Sequence, residues 1–384
     1  MDKISLKGKR ILIVINNLDF FLSHRQEIAE MLVANQSEVL IACPKNKALQ
    51  KLDKINIKHI EFNISRSGIN PVFEFITFIK LLKIIFKVKP HLIHTITMKG
   101  IVHGGLIARI FRIPNLIAFS GLGHSFINHG FKLKKTFTKN IINCLLRLIL
   151  KNPKKIIIFH NKEDLKELQK FNKIKEDQTI ITHGSGINLE AFRKLKFPSF
   201  ENNKIIGLFA SRLLKTKGIM EISMASEMVH KINKDIEIWL IGDVDFGNPD
   251  SVSKSYLEKL AMMPNIKYFG FQERIQDFLE DCHFVILPSY REGMPKFLLE
   301  ASAAGKAILT TNVPGCKECV IDGENGLLAL PKDHKDLAKK ILQIAESKDK
   351  LREFGNHSKK IAFKNYSVNH VVDKHKWAYI KLLS

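Results

Sequence analysis

Between Phe75 and Lys162 the chain carries no acidic residue, although sixteen of those 88 positions are Lys or Arg. The imbalance is regional: residues 1–190 hold 31 basic against 14 acidic side chains, the remainder 30 against 24. A composition rich in Ile, Lys and Asn accounts for part of this, but such bias alone would also supply acids. The excess therefore points to an anionic surface or ligand, whether phospholipid, a lipid diphosphate or nucleic acid. Against the last, no module with aromatic stacking platforms beside the lysines is recognisable.

Other absences narrow the class. No uninterrupted apolar run reaches the roughly 18 residues of a bilayer crossing, so no transmembrane helix is expected. Met1–Arg10 is polar and basic and leads straight into a strand, which reads as no signal peptide. The five cysteines, Cys43, Cys144, Cys282, Cys316 and Cys319, are odd in number and scattered, which argues for a reducing cytoplasm. Cys316 and Cys319 have C-x-x-C spacing but no second pair or spaced histidines, so a zinc site is not expected. The loop after the first strand, Asn16 to Phe21, lacks G-x-G-x-x-G, which argues against an NAD-dependent enzyme. No D-x-D metal motif, internal repeat or low-complexity tract stands out.

What is present is an alternation of strands and helices over 384 residues, more than the roughly 250–300 at which a single core stops growing. Strands are expected at 10–15, 38–43, 58–62, 91–95, 116–119, 155–160 and 179–182, then at 205–209, 236–241, 266–269, 283–287 and 307–309. Helical patterns between them, the first at 24–33, imply parallel sheets built from right-handed crossovers. The expected fold class is α/β: two Rossmann-like, doubly wound parallel-sheet domains facing a central cleft, with ligand beyond the carboxyl ends of the strands.

The densest chemistry lies in 288–328. Pro288-Ser289-Tyr290-Arg291-Glu292-Gly293-Met294-Pro295 opens a helix that carries Glu300 and ends at Ala304-Gly305. Exposed N–H groups of a first helical turn attract an anion or sugar oxygens, and Pro295 suits that turn because its missing N–H is not needed there. Glu292 can accept hydrogen bonds from sugar hydroxyls; Glu300, about two turns further on, can reach a ribose. A second element follows the strand at 205–209, where Ser211-Arg212-Leu213-Leu214-Lys215-Thr216-Lys217-Gly218 leads into a helix. The planar guanidinium of Arg212 offers a fork of donors and Lys217 a compact charge, a pair suited to an anion. Together these segments resemble the E-x7-E signature and the G-R-L-x-x-x-K-G element of the retaining glycosyltransferases of family 4, which have the GT-B fold.

The resemblance implies a bacterial enzyme of the kind that builds O-antigen, capsule or glycoprotein oligosaccharides on a polyprenyl diphosphate. It implies passage of a hexosyl group, an N-acetylhexosamine by preference, from a UDP-sugar to that lipid-linked saccharide with retention, without a metal or other cofactor. Glu292, Arg212 and Lys217 then take the catalytic places. Glu300, Gly293, Met294, Pro295 and Phe271 serve the donor, Phe271 because Phe269-Gly270-Phe271-Gln272-Glu273 resembles a family loop that reads the base through backbone groups. In the N-terminal half Ser120 stands where many relatives carry a histidine, His124 comes four positions later, and Lys99 can hold an anionic acceptor. The expected domains are 1–186 for acceptor and membrane, 187–365 for the nucleotide sugar, and 366–384 as a helix returning to the first domain. Gly184-Ser185-Gly186-Ile187-Asn188 resembles the family's junction. The implied location is the cytoplasmic face of the inner membrane, bound peripherally, with its anionic surface as a partner and nucleic acid as none.

Some features read two ways. The segment Phe131–Lys155 puts Leu133, Phe137, Ile141, Leu145 and Ile149 on one helical face with lysines at both ends. Such a helix either packs on the sheet, lies in a membrane interface, or does both. The segment 73–89 is expected in the core. Phe20 and Phe21, in the loop after the first strand, cap the core or contact a lipid carrier. His94 and His103 read as structural, Asp243 as a surface residue or one near the base, and Cys316 and Cys319 as free thiols lining the donor cleft. Two other functions share parts of the pattern: a UDP-N-acetylhexosamine 2-epimerase of the same twin-domain architecture, and a non-enzymatic basic protein that binds membrane or nucleic acid.

Overall fold

Four of the five residues of Arg10–Val14 (β1) are buried and apolar, as in a strand covered on both faces. The computed structural model describes residues 5–65, 70–122, 133–200 and 203–384, without the side chains of 133–139. The chain divides into two compact units, one of residues 1–185 with 368–384 and one of residues 186–367.

The first unit adds Glu38–Cys43 (β2), Lys58–Glu61 (β3), Leu92–Ile96 (β4), Asn115–Phe119 (β5), Lys155–Phe159 (β6) and Thr179–Ile181 (β7) to β1. They pair in parallel in the order β3-β2-β1-β4-β5-β6-β7. Val14 sits opposite Ala42 on one side and Thr95 on the other, so the strands end together. Alternation along β1 builds two cores. Ile11 and Ile13 pack with Ile28, Leu32, Tyr379 and Leu382, whereas Leu12 and Val14 pack with Leu81, Ile85 and Ile107. The helix Val368–Leu383 thereby closes one face of this sheet, against the helix Gln26–Ala34.

Three expectations change here. The segment 18–34 is two helices, Leu18–His24 and Gln26–Ala34, broken at Arg25, whose φ of −138° is not helical. Phe20 and Phe21 are therefore helical, with Phe21 fully buried and Phe20 stacked on His24. The helix Pro71–Val88, capped by Asn70 with Pro71 at its first position, buries only one side; Phe73 and Phe75 are two-thirds exposed rather than in the core. In the helix Leu133–Ile149 the buried face runs through Asn143, Leu146 and Ile149, leaving Ile141 44% exposed and off the face assigned to it.

The second unit contains Ile205–Ala210 (β8), Ile236–Ile241 (β9), Ile266–Tyr268 (β10), Phe284–Leu287 (β11), Ala307–Thr311 (β12) and Gly326–Ala329 (β13). All pair in parallel, in the order β10-β9-β8-β11-β12-β13. Strand β13 was not expected. Its first residue lies so close to β12 that a Cβ on Gly326 would fall 1.9 Å from the Ile308 carbonyl oxygen. The chain enters and leaves this unit at one place, where Ile187 N donates to Tyr366 O at 2.9 Å and Ile187 bridges to Ser367.

Candidate active site

In the second sheet the strand order reverses between β8 and β11, and ligands of doubly wound sheets bind outside the carboxyl ends at such a reversal. The two loops that leave these strands carry Arg212 with Lys217 and Glu292 with Gly293. Gly218 lets them approach: at φ +80° a Cβ would fall 2.2 Å from the Pro288 carbonyl oxygen, so a side chain has no room. Tyr290 N donates to Thr216 O at 3.0 Å across the same gap. Lys217 and Glu292 consequently form an ion pair in which both side chains are under one-fifth exposed. Glu292 is fixed from behind as well, its N–H donating to Pro314 O at 3.0 Å.

The loops after β8, β9 and β10 line a cavity of about 370 Å³, closed on one side by Phe297 and Glu300 of the helix Lys296–Ala303. Arg212, Phe271 and Glu300 all line it. Arg212 is half exposed and pairs with Asp245 at 2.6 Å, whose Oδ2 also accepts from Asn248. Phe271 is 68% exposed and presents an open aromatic face. Burial pushes the Glu300 carboxyl above its usual range, and Lys296 Nζ, 3.7 Å away, offsets this only in part.

The remaining predicted residues fall into three groups. Gly293 and Met294 are buried, and the Met294 side chain belongs to the core, so only backbone groups there can meet a ligand. Pro295 stands at the N-cap, one position before the helix, and its carbonyl accepts from Leu298 N. Ser120 and Lys99 belong to the first unit, after β5 and β4. Lys99 pairs there with Glu74, which His103 Nε2 also contacts at 2.8 Å. Burial works against ionisation of Glu74, yet the hydrogen bonds it accepts from Lys99 and His103 hold its carboxyl below the ordinary range. His124 lies outside the described residues.

Several functional candidates gave no signal in the sequence. Asp245 is one, because its partner Arg212 is 33 residues away and only loop geometry joins them. Glu221 is another: it is buried in the first turn of the helix Ile219–Ile232 and accepts from the Tyr290 hydroxyl at 2.7 Å. In the first unit the strand order reverses between β1 and β4. There Thr97 adopts φ +64° and donates to Asn16 Oδ1 at 3.0 Å, a strained backbone of the kind that concentrates at binding sites. Asp243, which the sequence left between a surface role and one near the base, is exposed and lines the cavity. Cys316 and Cys319 are free thiols, but fully buried rather than lining it; burial pushes Cys316 up to about 12 and Cys319 upward too. Among the described residues no group of three or more His, Cys, Asp or Glu side chains is placed to hold a metal ion.

Two parallel, doubly wound units, with paired cations after the first strand of the second and two acids flanking a helix start, define a GT-B glycosyltransferase. The chain belongs to this family: the model described as glycosyl transferases group 1 matches residues 191–361, and that described as glycosyl transferase 4-like matches 10–161. Over 351 residues it is 30% identical to the N,N'-diacetylbacillosaminyl-diphospho-undecaprenol alpha-1,3-N-acetylgalactosaminyltransferase of Campylobacter jejuni subsp. jejuni serotype O:2, covering 86% of this chain and 90% of that one. Its fold is similar to that of a sucrose-phosphate synthase from Thermosynechococcus elongatus, with TM-score 0.78 and 18% identity over 97% of this chain and 99% of that one. The fold of Anabaena HepE, solved in complex with UDP-glucose, is similar as well, with TM-score 0.76 and 19% identity over 96% and 99%. The enzyme is a hexosyltransferase.

Proposed function

We propose that this hexosyltransferase moves an N-acetylhexosamine from a UDP-sugar onto a saccharide carried by a polyprenyl diphosphate, with retention, at the cytoplasmic face of the inner membrane. The observation that carries the reading is the Lys217–Glu292 ion pair at the β8/β11 reversal, with Arg212, Phe271 and Glu300 around one cavity. Each part of a UDP-sugar has a matching group. The exposed ring of Phe271 suits the base, Glu300 the ribose hydroxyls, and Arg212 with Lys217 the diphosphate. The C. jejuni relative, named for forming an alpha linkage onto a diphospho-undecaprenol-linked sugar, supports this choice of donor and acceptor. HepE in complex with UDP-glucose supports the nucleotide.

In this reading a diphosphate competes with Glu292 for Lys217, takes the cation, and leaves the carboxylate to the hydroxyls of the sugar. The bond from the sugar's anomeric carbon to the β-phosphate oxygen breaks while an acceptor hydroxyl oxygen bonds that carbon from the same face. The acceptor proton passes to the departing phosphate oxygen, and Arg212 and Lys217 take up the negative charge. A metal has no assigned part. The basic excess of residues 75–162 supports attachment to an anionic membrane surface, and among the described residues no helix is long and apolar enough to cross one.

A donor screen tests the proposal. UDP release is measured with UDP-GalNAc, UDP-GlcNAc and UDP-glucose, with and without an undecaprenyl-diphosphate-linked saccharide, in the presence of a chelator. The expected result is turnover of a UDP-N-acetylhexosamine only when the lipid-linked acceptor is present, undiminished by the chelator and giving an α-linked product. Formation of the C2 epimer of UDP-GlcNAc without acceptor would overturn it.

A further inference from the structure

Four large apolar side chains stand out of the first two turns of the helix Pro71–Val88: Val72 (66% exposed), Phe73 (68%), Phe75 (67%) and Ile76 (44%). A surface helix ordinarily keeps such residues on its packed stripe. Here Leu81 and Ile85 form that stripe, and the other side stays open. Further along, the exposed positions are Lys80, Lys83, Phe86 and Lys87. Phe86 meets Phe111 edge-on at 5.2 Å, next to the exposed Arg112. The helix has a single carboxylate, Glu74, and it is engaged by Lys99 and His103. The next acid in the chain is Glu163. The open face therefore offers rings and ammonium groups with no counter-charge of its own.

We infer that this face docks on an anionic lipid bilayer, with Phe73 and Phe75 entering the acyl boundary and Lys80, Lys83 and Lys87 meeting the headgroup phosphates. A lipid surface suits it better than a protein partner, because protein interfaces are depleted of lysine. Nucleic acid is disfavoured because the rings gather at one end of the helix instead of alternating with the cations along a strand path. The assignment rests on the lipid-linked acceptor proposed above and adds the surface that brings the enzyme to it.

The test is flotation of the full chain with phosphatidylcholine vesicles, with and without about 30% phosphatidylglycerol, at low and high salt. Wild type is compared with Phe73→Ser/Phe75→Ser and with Lys80→Glu/Lys83→Glu/Lys87→Glu, with melting temperature and UDP binding measured in parallel. Wild type is expected to float with the anionic vesicles and to be released by salt. Each variant should lose about tenfold or more of that partitioning, with UDP affinity and melting unchanged. Variants that float as wild type does, or a wild type that ignores anionic vesicles, would overturn the assignment, as would loss of single-stranded RNA retention in place of vesicle binding. Transfer absent in the wild type while flotation behaves as expected counts against the functional reading and for the docking face.

Discussion

Lys217 and Glu292 neutralise each other in a site largely shielded from water, so neither can be removed without consequence for the other. In the proposed reading, Lys217→Ala strips the diphosphate of its compact cation and leaves a carboxylate where the leaving group would sit. Its kcat/KM is expected to fall by about 10²–10³, the cost typical of losing one charge-stabilising donor. Melting temperature is also expected to fall, because the variant leaves the Glu292 carboxylate, only 12% exposed, without its counter-charge; UDP affinity measured on the folded variant separates this from the loss of the diphosphate's cation. Glu300 behaves in the opposite sense. Its folded-state carboxyl is raised by burial, so the folded protein holds that proton more tightly than the unfolded chain does. Stability from this group is full at pH below the ordinary value and is lost as pH rises through the raised one. Glu300→Gln is therefore expected to melt slightly higher than wild type at neutral pH while binding UDP more weakly, as calorimetry with UDP would show. Arg212, Lys217, Glu292 and Glu300 could be singled out as candidates from the sequence because they match the spacing of the family's two motifs. Asp245 and Glu221 could not, since each finds its partner only through loop folding.

Gly218 shows how a loop element fixes a charge. It ends the turn Lys215–Lys217 in the left-handed region and lies against Pro288 of the neighbouring strand's loop. Gly218→Ala adds backbone strain of about 1–3 kcal/mol and a clash with main chain that no rotamer relieves. Activity in this variant is expected to drop as far as in Lys217→Ala although every charged group remains; wild-type UDP release would contradict the geometry. The strands were readable for a related reason: parallel strands buried on both faces are continuous apolar runs, and Ile11–Val14 or Val285–Leu287 cannot be mistaken. Strand β13 escaped because Gly326 and three further residues give too short a pattern. The helix Pro71–Val88 was misread because it is apolar around most of its circumference, which periodicity takes for burial on all sides. Arg25 broke an otherwise helical pattern because its side chain turns inward to His160.

That buried guanidinium ties distant parts of the first unit into one pH-sensitive whole. Arg25 is 1% exposed and donates from Nη2 to His160 Nε2 at 2.8 Å, so that nitrogen must be unprotonated. From the C-terminal helix His375 and Tyr379 come in beside it, the Tyr379 hydroxyl 2.6 Å from His94 Nδ1. Burial first, and the neighbouring cation second or third, push His94 and His160 well below the ordinary histidine value and His375 down to about 3. The other charged or titratable neighbours are His24, Glu27 and Tyr379, and Glu27 alone brings a negative charge. Unfolding releases all three imidazoles to titrate near their ordinary value of about 6.5. Between that value and the depressed ones the unfolded chain binds more protons, so stability present above about 6.5 is lost as pH falls. Hydrogen exchange, corrected for intrinsic rates, is expected to show the helix Val368–Leu383 losing protection from about pH 7.5 to about pH 5.5. Strand β8 of the second unit, with only His283 depressed nearby, to about 4, should lose less. His375→Leu removes one of the titrating groups while keeping an apolar side chain, and its protection should depend on pH less steeply. An unchanged slope in that variant would place the acid sensitivity outside this cluster.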